Sequence, residues 1–169
     1  IRQPKPLEPI DQPPFEVPSG WLWVRLGDLL VVLKNGINTK TSKSAGDFKI
    51  TRIETISFEN IDDSRVGYLS EVDTRTAQKH EILRGDILFS HINSEAHLGK
   101  TAICHKSDPS LLHGVNLLLL RAASNTDPFF LNLALRQLRA AGFFISISQR
   151  AVNQSSINQK NLSLTPIPL

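Results

Sequence analysis

One stretch near the middle of the chain constrains the fold most, because a short buried strand and a polar loop follow each other within it. The stretch is Ile-Leu-Arg-Gly-Asp-Ile-Leu-Phe-Ser-His-Ile-Asn-Ser-Glu-Ala-His-Leu-Gly-Lys-Thr-Ala-Ile, residues 82–103. Gly85-Asp86 is a turn signal, and residues 87–89 are apolar and favour a strand. Polar side chains then come in quick succession, at Ser90, His91, Asn93, Ser94 and His97. Such side chains read base edges and hold phosphates, so the stretch predicts a binding loop rather than a catalytic one.

Length and composition predict one domain with a real core, because the chain has 169 residues of which 40% are hydrophobic. No apolar run approaches the roughly 18 residues of a membrane span, and no signal segment opens the chain, so we expect a soluble protein without membrane contact. Cys104 is the only cysteine, which excludes an internal disulfide framework and favours the cytoplasm. The chain has no methionine and begins with Ile1, which predicts a piece of a longer polypeptide.

The net charge of +3 is distributed unevenly. Residues 34–52 contain five basic side chains against Asp47 alone, residues 54–81 contain seven acids, and no acid follows Asp127. If the two basic segments share a face, that face attracts a polyanion. Solvated surface charge of no special function explains the same pattern equally well.

The proline distribution predicts a boundary near Gly20. Six of the ten prolines lie within the first twenty residues, so residues 1–19 are predicted to be an extended linker and residues 20–169 the domain. Strands are predicted over residues 21–26, 48–53, 55–58, 66–72, 87–89, 101–105 and 115–121, with residues 87–89 pairing with 101–105. A short helix is predicted over residues 29–34, and a longer one from Pro128 to about Ala141, capped by Asp127 and ended by Gly142.

Sequence patterns of common catalytic and cofactor sites are missing. The chain has no phosphate loop with Lys-Ser/Thr, no dinucleotide fingerprint and no nucleophile elbow. His91, His97, Cys104 and His105 do not have the spacing of zinc ligands, so loop or core histidines are the better interpretation. We therefore predict no cofactor, no metal and no catalytic residue.

Three motifs in this order resemble the target recognition domain of type I restriction-modification specificity subunits. They are Pro-Ser-Gly-Trp-Leu-Trp-Val-Arg-Leu-Gly-Asp at 18–28, Leu-Arg-Gly-Asp-Ile-Leu-Phe-Ser at 83–90 with Asn93-Ser94 and Leu-Gly-Lys-Thr-Ala-Ile at 98–103, and Asn-Gln-Ser-Ser-Ile-Asn at 153–158 before Leu-Thr-Pro-Ile-Pro at 164–168. The resemblance covers residues 14 to 169.

The resemblance implies an α/β (α+β) domain with a twisted, largely antiparallel or mixed sheet and a few packed helices. It also implies a non-catalytic component that reads one half of a bipartite target in double-stranded DNA. The implied partners are methyltransferase and restriction subunits and a second recognition domain of the full-length subunit. Within the motifs, Gly20, Gly85, Asp86 and Gly99 are interpreted as fold-forming residues, since glycine permits backbone angles that other residues avoid.

The candidate DNA-binding residues divide by chemistry. Phosphate contacts are assigned to Lys40, Lys43, Arg52, Lys100 and Arg150, and base contacts to Asn35, Asn38, Ser90, His91, Asn93, Ser94, Asn153, Gln154 and Ser155. The segment 38–46, which holds Lys40 and Lys43, is either a phosphate-binding arm or a plain surface loop. Two alternatives stay open: a nuclease or methyltransferase accessory domain with a hydrolytic site on Asp62, Asp63 and His97, and a protein-interaction module that never binds DNA.

Overall fold

The computed structural model describes residues 7–11, 13–42, 46–57, 60–152 and 154–169. The strands, in chain order, are β1 (Trp23–Arg25), β2 (Leu30–Asn35), β3 (Phe48–Thr51), β4 (Ile56–Ser57), β5 (Asn60–Ile61), β6 (Val66–Leu69), β7 (Ile87–Phe89), β8 (Ile92–Asn93), β9 (Thr101–Ile103), β10 (Leu111–Leu112), β11 (Leu118–Ala122), β12 (Gln149–Ala151), β13 (Gln154–Ser156) and β14 (Pro166–Pro168). The α-helices are α1 (Thr74–His80), α2 (Pro128–Ala140), α3 (Phe143–Ser146) and α4 (Gln159–Ser163), and 3₁₀ turns cover Leu26–Leu29 and Ile53–Thr55.

An antiparallel sheet in the order β2-β11-β7-β9 forms the centre of the domain. Ile87 pairs with Ile103 and Phe89 with Thr101, which confirms the predicted pairing of these two segments. Residues 117–120 are four consecutive leucines and all are fully buried. A continuous apolar run is expected of a strand that is covered on both faces, and β11 is such a strand.

The two faces of this sheet belong to two different hydrophobic clusters. Ile87, Phe89 and Leu118 pack in one cluster, together with Leu131 and Leu135 of α2. Leu88 and Leu119 pack in the other, together with Ile56 and Val66 from the neighbouring small sheets. Successive side chains of a strand point to opposite faces, so this alternation places the central sheet between two apolar layers.

Smaller sheets surround the central one. Within the described residues they have the orders β10-β3-β6, β12-β13-β8, β4-β5 and β1-β14. Strands β1 and β14 pair antiparallel, so the two ends of the domain lie side by side. Phe15 lies upstream of β1, and its carbonyl accepts a hydrogen bond from the indole Nε1 of Trp23 at 2.8 Å. The domain is mixed α/β with mostly antiparallel pairing, which confirms the predicted fold class.

The longest helix matches its sequence prediction. Asp127 caps α2, because its Oδ1 accepts hydrogen bonds from the backbone N–H groups of Phe129 and Phe130. Leu131 and Leu135 are fully buried on its inner face. The chain leaves the helix through Gly142, whose φ of 78° suits glycine.

The predicted helix over residues 29–34 is wrong. Leu30–Asn35 is strand β2, which pairs with β11 over its length, and only Leu26–Leu29 forms a 3₁₀ turn. Val31 and Val32 are β-branched and lose side-chain freedom in a helix, whereas strand β11 provides backbone hydrogen-bond partners for this segment. Helices α1 and α4 were not predicted, and the strand predicted over 66–72 ends at Leu69.

The motif glycines occupy positions that only glycine adopts readily. Gly20, Gly85 and Gly99 have φ values of 92°, 89° and 73°, in the left-handed region. At Gly99, a Cβ atom would lie 2.6 Å from Cδ2 of Phe144, a fully buried ring in the main cluster. The interpretation of these residues as fold-forming is therefore confirmed.

Candidate nucleic-acid interface

Four predicted site residues lie together on one small sheet, which we call the polar sheet and which consists of β12, β13 and β8. Ser155 of β13 pairs with Arg150 on one side and with Asn93 on the other. Gln154 is the preceding residue of β13 and is exposed. Residues 93 and 155 are far apart in the sequence, and only strand pairing brings them together.

Burial separates the residues on and next to the polar sheet that reach the surface from those that support it. Ser90 and Ser155 are 1% and 2% exposed, so they face the interior. The Ser90 hydroxyl accepts a hydrogen bond from Asn93 Nδ2 at 3.1 Å, and Asn93 Oδ1 accepts from the Ser94 N–H at 2.9 Å. Arg150 is exposed and forms an ion pair with Glu95 at 3.0 Å. An exposed ion pair of this kind contributes little to stability and is open to exchange for another anion.

A cleft of about 800 Å³, which we call the basic cleft, lies beside the polar sheet. Strand β8 contributes Asn93 to it, and α2 contributes Arg136 and Arg139. Its described lining residues are Ile53, Glu54, Ile56, Ser57, Arg65, Ser90, Asn93, His97, Lys100, Thr101, Leu133, Arg136, Gln137, Arg139 and Ala140. Four of these are lysine or arginine and Glu54 is the single carboxylate among them, so the cleft attracts anions.

The two arginines of α2, Arg136 and Arg139, were not among the site residues predicted from the sequence. Arg139 holds the loop that follows β8, because its Nη2 donates to the Ala96 carbonyl at 2.7 Å and its Nε to the Leu98 carbonyl at 3.1 Å. Arg136 is the residue three positions earlier and lies on the same side of the helix. The spacing of the two arginines was the available signal, but the packing of α2 against this loop was not visible in the sequence.

A second concavity, of about 520 Å³, lies on the other side of β8, and we call it the amide groove. Its lining residues are Asn35, His91, Ile92, Ser156, Ile157, Asn158, Gln159 and Lys160. His91 is 6% exposed, and burial lowers the pKa of its imidazole below the usual value of 6.5. The groove therefore holds a neutral imidazole and several carboxamides, with Lys160 as the one charged side chain among the lining residues.

The remaining predicted residues lie elsewhere or outside the described part of the chain. Asn38 and Lys40 are exposed. They lie between two isolated β-bridges, Ile37 with Gly114 and Ser42 with Tyr68, and so flank the β10-β3-β6 sheet. Arg52 forms an ion pair with Glu54 at 3.0 Å at the edge of the basic cleft. Lys43 and Asn153 lie outside the described residues.

The carboxylates of the alternative hydrolytic site have structural partners. Asp62 Oδ1 accepts from the backbone N–H and the hydroxyl of Ser64, and its Oδ2 lies 3.1 Å from Arg65 Nε. Asp63 lies 3.8 Å from Lys49 Nζ. Among the described residues, no three His, Cys, Asp or Glu side chains come together in a way that could hold a metal ion. Asp62 and Asp63 are therefore partners in surface ion pairs.

The sequence is similar to specificity subunits of type I restriction enzymes. A putative type I restriction enzyme MjaX specificity subunit from Methanocaldococcus jannaschii is 46% identical over 155 residues, which cover 91% of this chain and 36% of that subunit. The EcoEI specificity subunit from Escherichia coli is 24% identical over 180 residues, covering all of this chain and 30% of the subunit. Over nearly its whole length, the chain is similar to one segment of type I specificity subunits. It spans about a third of the length of these relatives. No protein-family model matches the chain.

Solved structures of specificity subunits share the fold of this chain. The HsdS subunit from Thermoanaerobacter tengcongensis superposes with a TM-score of 0.64 at 21% identity and covers 93% of this chain and 35% of its own. A chain from a structural study of assembly and conformational transition in the type I R-M system gives a TM-score of 0.67 at 20% identity, covering 93% and 36%. None of the helices in the described ranges has the length and hydrophobicity to cross a membrane.

Proposed function

We propose that this specificity-subunit domain is a target recognition domain that reads one half of a bipartite sequence in double-stranded DNA. The observation that supports the proposal most is that two chemically different surfaces lie next to each other along β8. The basic cleft is suited to the sugar-phosphate backbone, and the polar sheet and the amide groove offer hydrogen-bonding side chains to base edges. A protein that reads sequence needs both kinds of contact, since phosphate contacts position it and base contacts specify the sequence.

Within this proposal, Lys100 contacts a phosphate from the basic cleft. Replacing Lys100 by glutamine should weaken binding to all duplex sequences by a similar factor. The slope of log K against log salt concentration should become shallower by about 0.9, since one phosphate contact releases about that many counterions. Fluorescence anisotropy at several salt concentrations measures the slope.

Lys79 is the matched control for this substitution, because it lies on α1 and is absent from the lining of the cleft. Lys79→Gln removes the same charge and should leave the slope unchanged. Equal slopes for the wild-type chain and Lys100→Gln would contradict the phosphate role. Lys40 is proposed for a phosphate contact as well, and its reversal to glutamate should likewise weaken binding across sequences.

Base contacts are proposed for the exposed side chains of the polar sheet, which include Gln154. Gln154→Ala should relax the preference at one position of the target, by roughly 5- to 150-fold, because a good bidentate contact discriminates by about 1–3 kcal/mol. Asn93 should behave similarly with a smaller effect, since part of its carboxamide is already bonded to Ser90 and Ser94. Selection from randomised duplexes measures the preference, and equal losses on all sequences would remove these residues from the base-reading set.

We also propose that the chain works in the cytoplasm as part of a longer subunit. This extends the observation that its relatives are about three times as long. The proposed partners are a second recognition domain and the methyltransferase and restriction subunits of the same system. The domain itself is proposed to be non-catalytic, so it should leave duplex DNA uncut in the presence of Mg²⁺ or Mn²⁺. Cleavage by the purified chain, abolished by Asp62→Asn, would favour the accessory-nuclease alternative.

A further inference from the structure

Three side chains of the amide groove form a directional hydrogen-bonded chain. Gln159 Nε2 donates to Asn35 Oδ1 at 2.5 Å, and Asn35 Nδ2 lies 3.4 Å from Nε2 of His91. The Asn35 carboxamide has its nitrogen toward His91 and its oxygen toward Gln159. A carboxamide nitrogen donates and does not accept, so in this arrangement the His91 Nε2 is the unprotonated, accepting nitrogen.

The buried end of this chain is rigid. His91 is 6% exposed, and its backbone carbonyl accepts a hydrogen bond from the Ile157 N–H at 2.8 Å. The burial that lowers its pKa keeps the imidazole neutral near pH 7, which agrees with an accepting Nε2. Asn158 Oδ1 accepts from the Asn161 N–H at 2.8 Å and so holds the backbone on which Gln159 begins α4. The exposed end of the chain is therefore presented in one orientation.

The exposed end carries a donor beside an acceptor. One Nε2 hydrogen of Gln159 is used by Asn35, and no other described residue bonds its carboxamide, so the second hydrogen and Oε1 remain for a partner outside. Adenine is the base whose major-groove edge has a donor (N6) next to an acceptor (N7), whereas guanine has two acceptors there. A carboxamide of fixed orientation can therefore pair with the adenine edge. At guanine its oxygen would face another acceptor.

We propose that Gln159 is a specificity-determining residue that selects an adenine in the DNA target, with Asn35 as its positioning residue. The inference depends on the proposed function, since it names the base that one part of the recognition surface takes. Gln159 was not among the residues predicted from the sequence. The last amide motif recognised there ended at Asn158, one residue earlier.

The test uses the 169-residue chain and duplexes selected from a randomised pool. Gln159→Ala should lose preference at a single adenine by about 5- to 150-fold and keep its preference elsewhere. A duplex with 7-deazaadenine at that position lacks the N7 acceptor, so it should weaken binding of the wild-type chain and have no effect on Gln159→Ala. Gln78→Ala, on the exposed face of α1, is the control and should retain the wild-type preference.

Two substitutions at Asn35 separate positioning from a merely structural role. Asn35→Ala releases the Gln159 carboxamide and should reduce the preference at the same adenine. Asn35→Asp still accepts from Gln159 through one oxygen, and its other oxygen accepts from His91 once Nε2 carries the imidazole proton. It should therefore restore part of that preference, while its negative charge lowers affinity for every duplex by a similar factor.

The outcomes distinguish the inference from the function on which it depends. A wild-type chain without sequence-dependent duplex binding overturns both. Selective binding that is unchanged in Gln159→Ala, lost evenly at all positions, or lost at a base other than adenine overturns the inference alone. Equal sensitivity of the wild-type chain and Gln159→Ala to 7-deazaadenine overturns it as well.

Discussion

Replacing Arg121 by methionine is expected to lower the free energy of unfolding by about 3–5 kcal/mol, because it leaves a buried carboxylate without its cation. Asp86 is 1% exposed, and its two oxygens accept from Arg121 Nε at 2.7 Å and Nη2 at 2.6 Å. Its Oδ2 also accepts from the Leu83 N–H at 2.8 Å, which closes the turn before β7. Urea unfolding followed by tryptophan fluorescence measures the change.

The exposed ion pair of Glu95 and Arg150 provides the comparison, since both side chains are well exposed. Glu95→Gln should change stability by only about 0–1 kcal/mol. A double variant, Asp86→Leu with Arg121→Met, should recover much of the loss, because it removes the unpaired charge itself. If Arg121→Met were no more harmful than Glu95→Gln, the buried pair would have no special structural role.

The stability of the domain is expected to fall by about 3 kcal/mol as the pH is lowered from 7 to 4, with His113 as the main cause. This side chain is fully buried, and burial lowers its pKa to about 4. Its Nε2–H donates to the Leu117 carbonyl at 2.8 Å, which leaves Nδ1 buried and unprotonated without a partner among the described residues. An unfolded chain binds a proton near pH 6.5 and the folded chain does not, so protons favour unfolding between these two values.

Unfolding by urea at several pH values measures this dependence. His113→Gln should weaken it, since glutamine does not titrate and its Nε2 can still donate to a carbonyl. His97→Gln, at an exposed position, is the matched control and should retain the wild-type slope. Part of the dependence should survive in His113→Gln, because burial also lowers the pKa values of His80 and His91. An identical slope in the wild type and His113→Gln would count against this assignment.

Local signals in the sequence were sufficient to predict an element where a single residue type starts, ends or buries it. Asp127 and Pro128 began α2, Gly142 ended it, and the apolar run at 117–120 predicted a strand, which is fully buried there. The same signals failed at residues 30–35, where the apolar pattern suits a short helix and a strand equally. Pairing with β11 decided that segment, and the partner lies more than eighty residues away.

The candidate site shows the same division. The types of side chain needed to bind DNA were visible as a pool that included Asn93, Lys100 and Gln154. Which of them share a surface was decided by pairing, since β8 meets β13 only in the folded sheet. Burial then removed Ser90 and Ser155 from the accessible surface, and packing of α2 added Arg136 and Arg139 to the basic cleft.

The sequence by itself determined the two ends of α2, the central strands β7, β9 and β11, and the motifs that resemble those of specificity subunits, because each depends on neighbouring residues and their conformational preferences. The tertiary structure alone decided the ion pair of Asp86 with Arg121, the two concavities on either side of β8, and the contact of Gln159 with Asn35. These features join residues 35 to 124 positions apart. Contacts at such separations depend on how sheets pack and on which groups are excluded from water. Neither can be predicted from a local sequence pattern.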